Sequence, residues 1–201
     1  MISPHASGSA VNIAVLVSGS GTNLQAIIDD GITVALVLCD RPDIPSIDRA
    51  NKAGIEFCVV DRSLYKGRRE EFTQAVVGEL EARNIDLVVM AGFMTILTPI
   101  LFEKFEGCVL NIHPSLLPAF TGTHGRGTMT ATLESGVKVT GVTVHIATAD
   151  VDAGPILAQE SVEVLENDDE DSLHERIQKV EHRIYPQTIR QFCAQHFNNQ
   201  E

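Results

Sequence analysis

Short runs of β-branched and aliphatic residues alternate with amphipathic stretches through the first half of the chain, and this alternation restricts the fold more than any other feature. Asn12–Val17 (NIAVLV), Val34–Leu38, Glu56–Val60, Leu87–Met90 and Val109–Ile112 read as strands, most of them apolar throughout and therefore buried on both faces. Between them, Thr22–Asp29, Ile47–Ala53 and Gly67–Arg83 read as helices, the last with Phe72, Val76 and Leu80 at helical spacing. Strand–helix alternation of this kind predicts a right-handed, mostly parallel α/β sheet with helices on its faces. Later, Val139–Ala147 and Ile156–Val162 read as longer strands before one terminal helix. Ser172 and Glu175 fit a capping box at the start of that helix, and Pro186 should kink or end it near Tyr185. The expected architecture is one Rossmann-like domain over residues 11–197 with a mixed C-terminal edge. Residues 1–10 and 198–201, polar or small, are expected to be flexible.

Composition narrows the function classes. The chain has 201 residues, 44% of them hydrophobic, enough for the core of one domain. Its net charge of −12 argues against a general nucleic-acid or membrane-surface binder, although a local anion site built from backbone N–H groups remains compatible with it. No apolar run reaches the roughly 18 residues of a membrane span, and MISPHASGSA lacks the basic and apolar regions of a secretory signal. Cys39, Cys58, Cys108 and Cys193 are widely spaced and read as small buried hydrophobes, so a cytoplasmic location is expected.

Ligands of open α/β sheets bind beyond the carboxyl ends of the strands. Four segments should meet there. Ser18-Gly-Ser-Gly-Thr-Asn23 lies between a strand and a helix, where glycines allow close backbone approach and free N–H groups attract a phosphate. The same segment could be a tight turn. It could also be a dinucleotide site with Gly19, Gly21 and Asp40, although Leu24 replaces the third glycine. Gly92–Leu97 is apolar and suits either core or the wall of a pocket for a flat heterocycle. In Asn111-Ile-His-Pro-Ser-Leu-Leu-Pro118, Asn111 and His113 are two apart on a strand and share a face. A carboxamide and an imidazole aimed at one point serve acyl transfer: one stabilises an oxyanion and the other moves a proton. Asp150-Val-Asp-Ala-Gly-Pro155 supplies a carboxylate that would favour the imidazolium of His113, or else an Asx-stabilised turn. His145 with His113 and Asp152 makes only a weak metal set, so no metal is expected.

The segments SGSGTNLQAII, DLVVMAGFMTIL, LNIHPSLLPAF, VTGVTVHIATADVDAGPI and EHRIYP resemble the folate-dependent formyltransferases, and among them the glycinamide ribonucleotide formyltransferases of purine biosynthesis, from Asn12 to about Arg190. The resemblance implies transfer of a formyl group from 10-formyltetrahydrofolate to the amine of glycinamide ribonucleotide, by a monomer or homodimer. It implies Asn111, His113 and Asp152 as the catalytic trio, and Gly21, Thr22, Asn23 and Glu181 as nucleotide contacts. For the folate it implies Arg69, Met94, Thr95, Ile96, Leu97, Asn111, Ala147 and Asp150. The chain departs from the family pattern at Thr95, where many members have Arg, in a shorter exit from the first helix, and at Phe120–Leu133, where about three extra residues rich in Gly and Thr suggest an irregular loop. Related alternatives are a formyltetrahydrofolate hydrolase and a transferase to another amine, both usually carrying extra domains. An NAD-binding regulatory module is the alternative from another class.

Overall fold

The computed structural model describes residues 11–197; the termini expected to be flexible lie outside that range. One seven-stranded sheet runs in the order β3-β2-β1-β4-β5-β6-β7. Its strands are β1 (Ile13–Val17), β2 (Leu36–Cys39), β3 (Phe57–Val59), β4 (Leu87–Met90), β5 (Val109–His113), β6 (Val139–Ile146) and β7 (Ile156–Glu163). The strands from β1 to β5 pair in parallel, while β6 pairs antiparallel with both β5 and β7. This is the mostly parallel sheet with a mixed C-terminal edge that the sequence predicts.

Helices cover both faces: α1 (Thr22–Asp29), α2 (Pro45–Ala53), α3 (Arg69–Glu81), α4 (Pro99–Lys104), α5 (Arg126–Ser135) and α6 (Glu170–His196). The two-residue period of a strand explains the partition of the core. Ile13, Val15 and Val17 of β1 pack with Leu24 and Ile27 of α1 and with Ile177, Ile184 and Ile189 of α6. Ala14 and Leu16 point the other way, into Phe72, Val76 and Leu80 of α3 and Leu101 of α4. Both faces are covered, so β1, β2 and most of β4 are buried and carry almost no polar residues.

Three readings need revision. Helix α6 runs unbroken through Pro186, which is buried inside it. A proline within a helix costs about 3 kcal/mol, and here the burial of Leu173, Ile177, Tyr185, Ile189 and Phe192 on the same helix offsets it. Its capping box is real but one turn earlier: Asp169 is the cap, accepting from the Ser172 N–H at 2.8 Å, and the Ser172 hydroxyl accepts from the Asp169 N–H. The segment expected to be an irregular loop holds α5, whose first turn starts at Arg126 despite flanking glycines. Buried Thr128 and Thr132 anchor that helix, the Thr132 hydroxyl donating to the Thr128 carbonyl at 2.7 Å.

Candidate active site

Every chemistry-bearing segment except Arg69 and Asp150 reaches one cavity of about 470 Å³ at the carboxyl ends of β1, β4 and β5. One end is the glycine loop. Gly21 caps α1 at φ 69°, a left-handed conformation that glycine tolerates. A Cβ there would sit 2.8 Å from the Ser46 hydroxyl, so the site excludes any larger residue. Helix α2 braces the loop from behind. The Ser46 N–H and hydroxyl both donate to the Gly19 carbonyl, and Arg49 Nε donates to the Ser20 carbonyl at 2.8 Å. With those carbonyls drawn toward α2, the first-turn N–H groups of α1 are left at the cavity end, where the helix dipole favours an anion.

Beside this cradle, Asn23 Nδ2 donates to Glu181 Oε2 at 3.1 Å. Glu181 is 7% exposed, and burial pushes its carboxyl up to about 7, with the Asn23 bond pulling weakly the other way. Gln178, His174 and Arg126 also line this end; sequence reasoning assigned them nothing, and only the position of α6 and α5 against α1 reveals them.

Another wall of the cavity is apolar. The loop Gly92–Leu97 follows β4, and Met94 and Ile96 remain 41% and 54% exposed, large apolar groups turned to an open pocket. The Met94 N–H donates to Ser18 Oγ at 2.8 Å, tying this wall to the glycine loop. Ala147 faces the pocket from the loop after β6. Thr95 donates to Asp40 Oδ2 at 2.6 Å, with Arg62 3.8 Å from the same carboxylate. The Asp40 side chain is wholly buried in this cluster and offers no exposed oxygen to a dinucleotide ribose. The reading of Asp40 as a ribose-binding acid therefore lacks the geometry it needs.

The same cavity is lined by the polar groups. Asn111 and His113 project from β5 toward the same face, as the alternation requires. His113 is 3% exposed, its Nδ1 lies 3.5 Å from Asp152 Oδ2, and its Nε2 has no partner within the protein. Asp152 stands at φ 55° in the turn after β6, and the Gly122 N–H donates to its Oδ2 at 2.9 Å. The carboxylate is thus gripped by the very loop in which the sequence is atypical.

Asp152 does favour the imidazolium of His113, as expected from sequence, but burial acts more strongly and holds the ring below its ordinary value. His113 is therefore a neutral base at rest, not a standing cation. His145, weighed from sequence as a member of a weak metal set, is 1% exposed, with Nε2 3.1 Å from Asn111 Nδ2 and 3.8 Å from Asp152 Oδ1. Among the described residues no group of three or more His, Cys, Asp or Glu could hold a metal ion. No helix among them is long and apolar enough to cross a membrane.

Residues 11–189 match the family model described as formyl transferase. Phosphoribosylglycinamide formyltransferase of Escherichia coli K12 is 40% identical over 189 residues, covering 91% of this chain and 87% of that protein. The Bacillus subtilis protein of the same name is 36% identical over 187 residues, covering 90% and 94%. The human trifunctional purine biosynthetic protein adenosine-3 is 43% identical over 183 residues, covering 88% of this chain, which spans only 18% of that relative. A crystal structure of glycinamide ribonucleotide transformylase 1 from Symbiobacterium toebii superposes with a TM-score of 0.88 at 44% identity, covering 94% of this chain and 90% of that one.

Proposed function

The chain belongs to the formyl transferase family, and on that premise we propose that it transfers the formyl group of 10-formyltetrahydrofolate to the amine of glycinamide ribonucleotide. One observation carries the reading. A single cavity is lined by an anion cradle at Gly19–Asn23, an apolar wall at Met94–Leu97, and Asn111, His113 and Asp152. A phosphate-bearing amine held by the cradle and a heterocyclic carrier held against the apolar wall would bring their reacting atoms together at those three side chains.

The residues then act as follows. Phosphate held by the α1 N-terminus fixes the nucleotide, with Glu181 accepting from its ribose hydroxyls. Such anchoring of both reactants removes translational freedom before the chemistry, a contribution that reaches about 7–11 kcal/mol in the best-oriented systems. The amine attacks the formyl carbon, a C–N bond forms and the carbonyl oxygen becomes an oxyanion. An Asn111 N–H stabilises that oxygen. Neutral His113 takes the proton released by the new ammonium, directly or through one water, and becomes an imidazolium. Asp152, 3.5 Å away, stabilises that charge. His113 then gives the proton to the folate nitrogen as the old C–N bond breaks, so every proton is accounted for. The four cysteines are free thiols, which suits a reducing compartment such as the cytoplasm.

A formyl-transfer assay with both substrates tests the reading, run beside Asn111→Ala. Loss of one oxyanion donor typically lowers kcat by about 10²–10³, with nucleotide affinity unchanged. Hydrolysis of the folate without the amine, or near-parental turnover in the variant, would refute the assignment.

A further inference from the structure

His145 lies outside the trio, yet it is the side chain that Asn111 actually touches. Antiparallel pairing sets the two residues directly opposite each other on β5 and β6, and cross-strand partners of this kind share a face. An irregularity between Val144 and His145 in the pairing with β7 interrupts the ladder at this point, a device that re-aims a side chain.

The hydrogen bonds fix the ring's protons. Nδ1 is 3.1 Å from the Ile146 carbonyl, which can only accept. Nδ1 therefore carries the hydrogen. In the neutral ring Nε2 then holds a lone pair, and its partner at 3.1 Å is Asn111 Nδ2, which can only donate. Asp152 Oδ1, 3.8 Å away, favours the doubly protonated ring through its charge but lies beyond hydrogen-bond reach. Burial disfavours the charged form more strongly and holds the ring below its ordinary value.

The consequence falls on Asn111. A carboxamide has two nearly equivalent orientations about its last torsion. The Nε2 lone pair accepts the nitrogen side and repels the oxygen side, so only one orientation survives. One amide N–H is spent on His145 and the second is left for the substrate.

We propose that His145 is a positioning residue for the oxyanion donor: its Nδ1–H tautomer locks the Asn111 carboxamide with the nitrogen inward, so that an N–H and not a carbonyl meets the developing negative charge. The proposal rests on the formyl-transfer reading above.

Two measurements test it. Long-range proton–nitrogen NMR on the unmodified, ligand-free protein reads the tautomer without any assay. A proton on Nδ1 and a bare Nε2 are expected; a proton on Nε2, or a ring charged at neutral pH, overturns the proposal. Kinetics of His145→Phe, with His145→Leu as a smaller alternative, give the second. We expect kcat to fall at least tenfold while KM for both substrates stays within about twofold, because the donor is misoriented and the binding ends are untouched. In an Asn111→Ala background the same substitution should cost almost nothing further. An equal loss in both backgrounds would mean that His145 acts by general structural support, and the positioning role would fall. A parent that transfers no formyl group would remove the underlying reaction and this proposal with it. An active parent with an unimpaired His145→Phe would remove the proposal alone.

Discussion

Replacing Glu181 by glutamine should make the ligand-free protein more stable at alkaline pH and leave it unchanged in acid. Glu181 sits on α6, 7% exposed, and burial pushes its carboxyl from an ordinary 4.5 to about 7. The Asn23 amide at 3.1 Å opposes this but is the weaker influence. Because the folded value lies above the unfolded one, the folded protein binds more protons than the unfolded chain between the two. Stability from this group is fully present below about pH 4.5 and is lost as the pH rises through about 7. At about 1.4 kcal/mol per pH unit, the interval from 4.5 to about 7 corresponds to roughly 3 kcal/mol. Glutamine keeps the volume and an acceptor for Asn23 but carries no charge, so it escapes the penalty. Urea unfolding of parent and variant across this range supplies the assay. The buried rings of His113 and His145 and the half-buried rings of His174 and His182, whose low values destabilise the fold in acid, are common to both proteins and cancel in the difference. The variant should match the parent near pH 4.5 and exceed it by about 3 kcal/mol near pH 8, while its KM for the nucleotide rises. A difference in stability that does not vary with pH would refute the reasoning, because it would mean that Glu181 titrates alike in the folded and unfolded chains.

Three further outcomes are expected. Asp152→Asn removes the one charge that raises the His113 value, so kcat should fall and the acid limb of the pH–rate profile should move lower; a profile superimposable on the parent's contradicts the coupling. Formyl transfer should survive prolonged treatment with a strong chelator, since no step uses a metal; activity lost and then restored by a divalent ion contradicts this. Gly141→Ala should lower stability by about 1–3 kcal/mol, the usual effect of overpacking, because its Cβ would lie 2.1 Å from the Glu160 carbonyl; Gly78→Ala, with nothing within 4 Å, should instead raise it, as thermal melts of the two variants would show.

The parts of this molecule that depend on local pattern could be read from the sequence. Strands buried on both faces are nearly pure aliphatic runs, so β1, β2, β4 and β5 stood out. The alternation that aims Asn111 and His113 at one point needs only their spacing within β5. What escaped reading depends on distant partners. His145 matters because strand register sets it against Asn111, and register is not written in either strand alone. Asp40 sits at the right distance for a ribose-binding acid, yet Thr95, 55 residues away, turns it inward. The protonation of His113 turned on how deeply β5 is covered, which outweighed the neighbouring carboxylate. Pro186 was read as a kink or a stop because its local cost is certain, whereas the packing that overrides it belongs to the whole sheet.

The phenol of Tyr185 has a wider reach than its distance from the cavity suggests. Its hydroxyl lies 3.0 Å from the carbonyl of Met90 and 3.2 Å from that of Leu110, on neighbouring strands β4 and β5. One of those strands leads into the apolar wall at Gly92–Leu97, and the other carries Asn111 and His113. A single rigid strut on α6 therefore gauges the separation between that wall and those two side chains. Turnover could be tuned from the back of the sheet, by changes that never come within sight of either substrate.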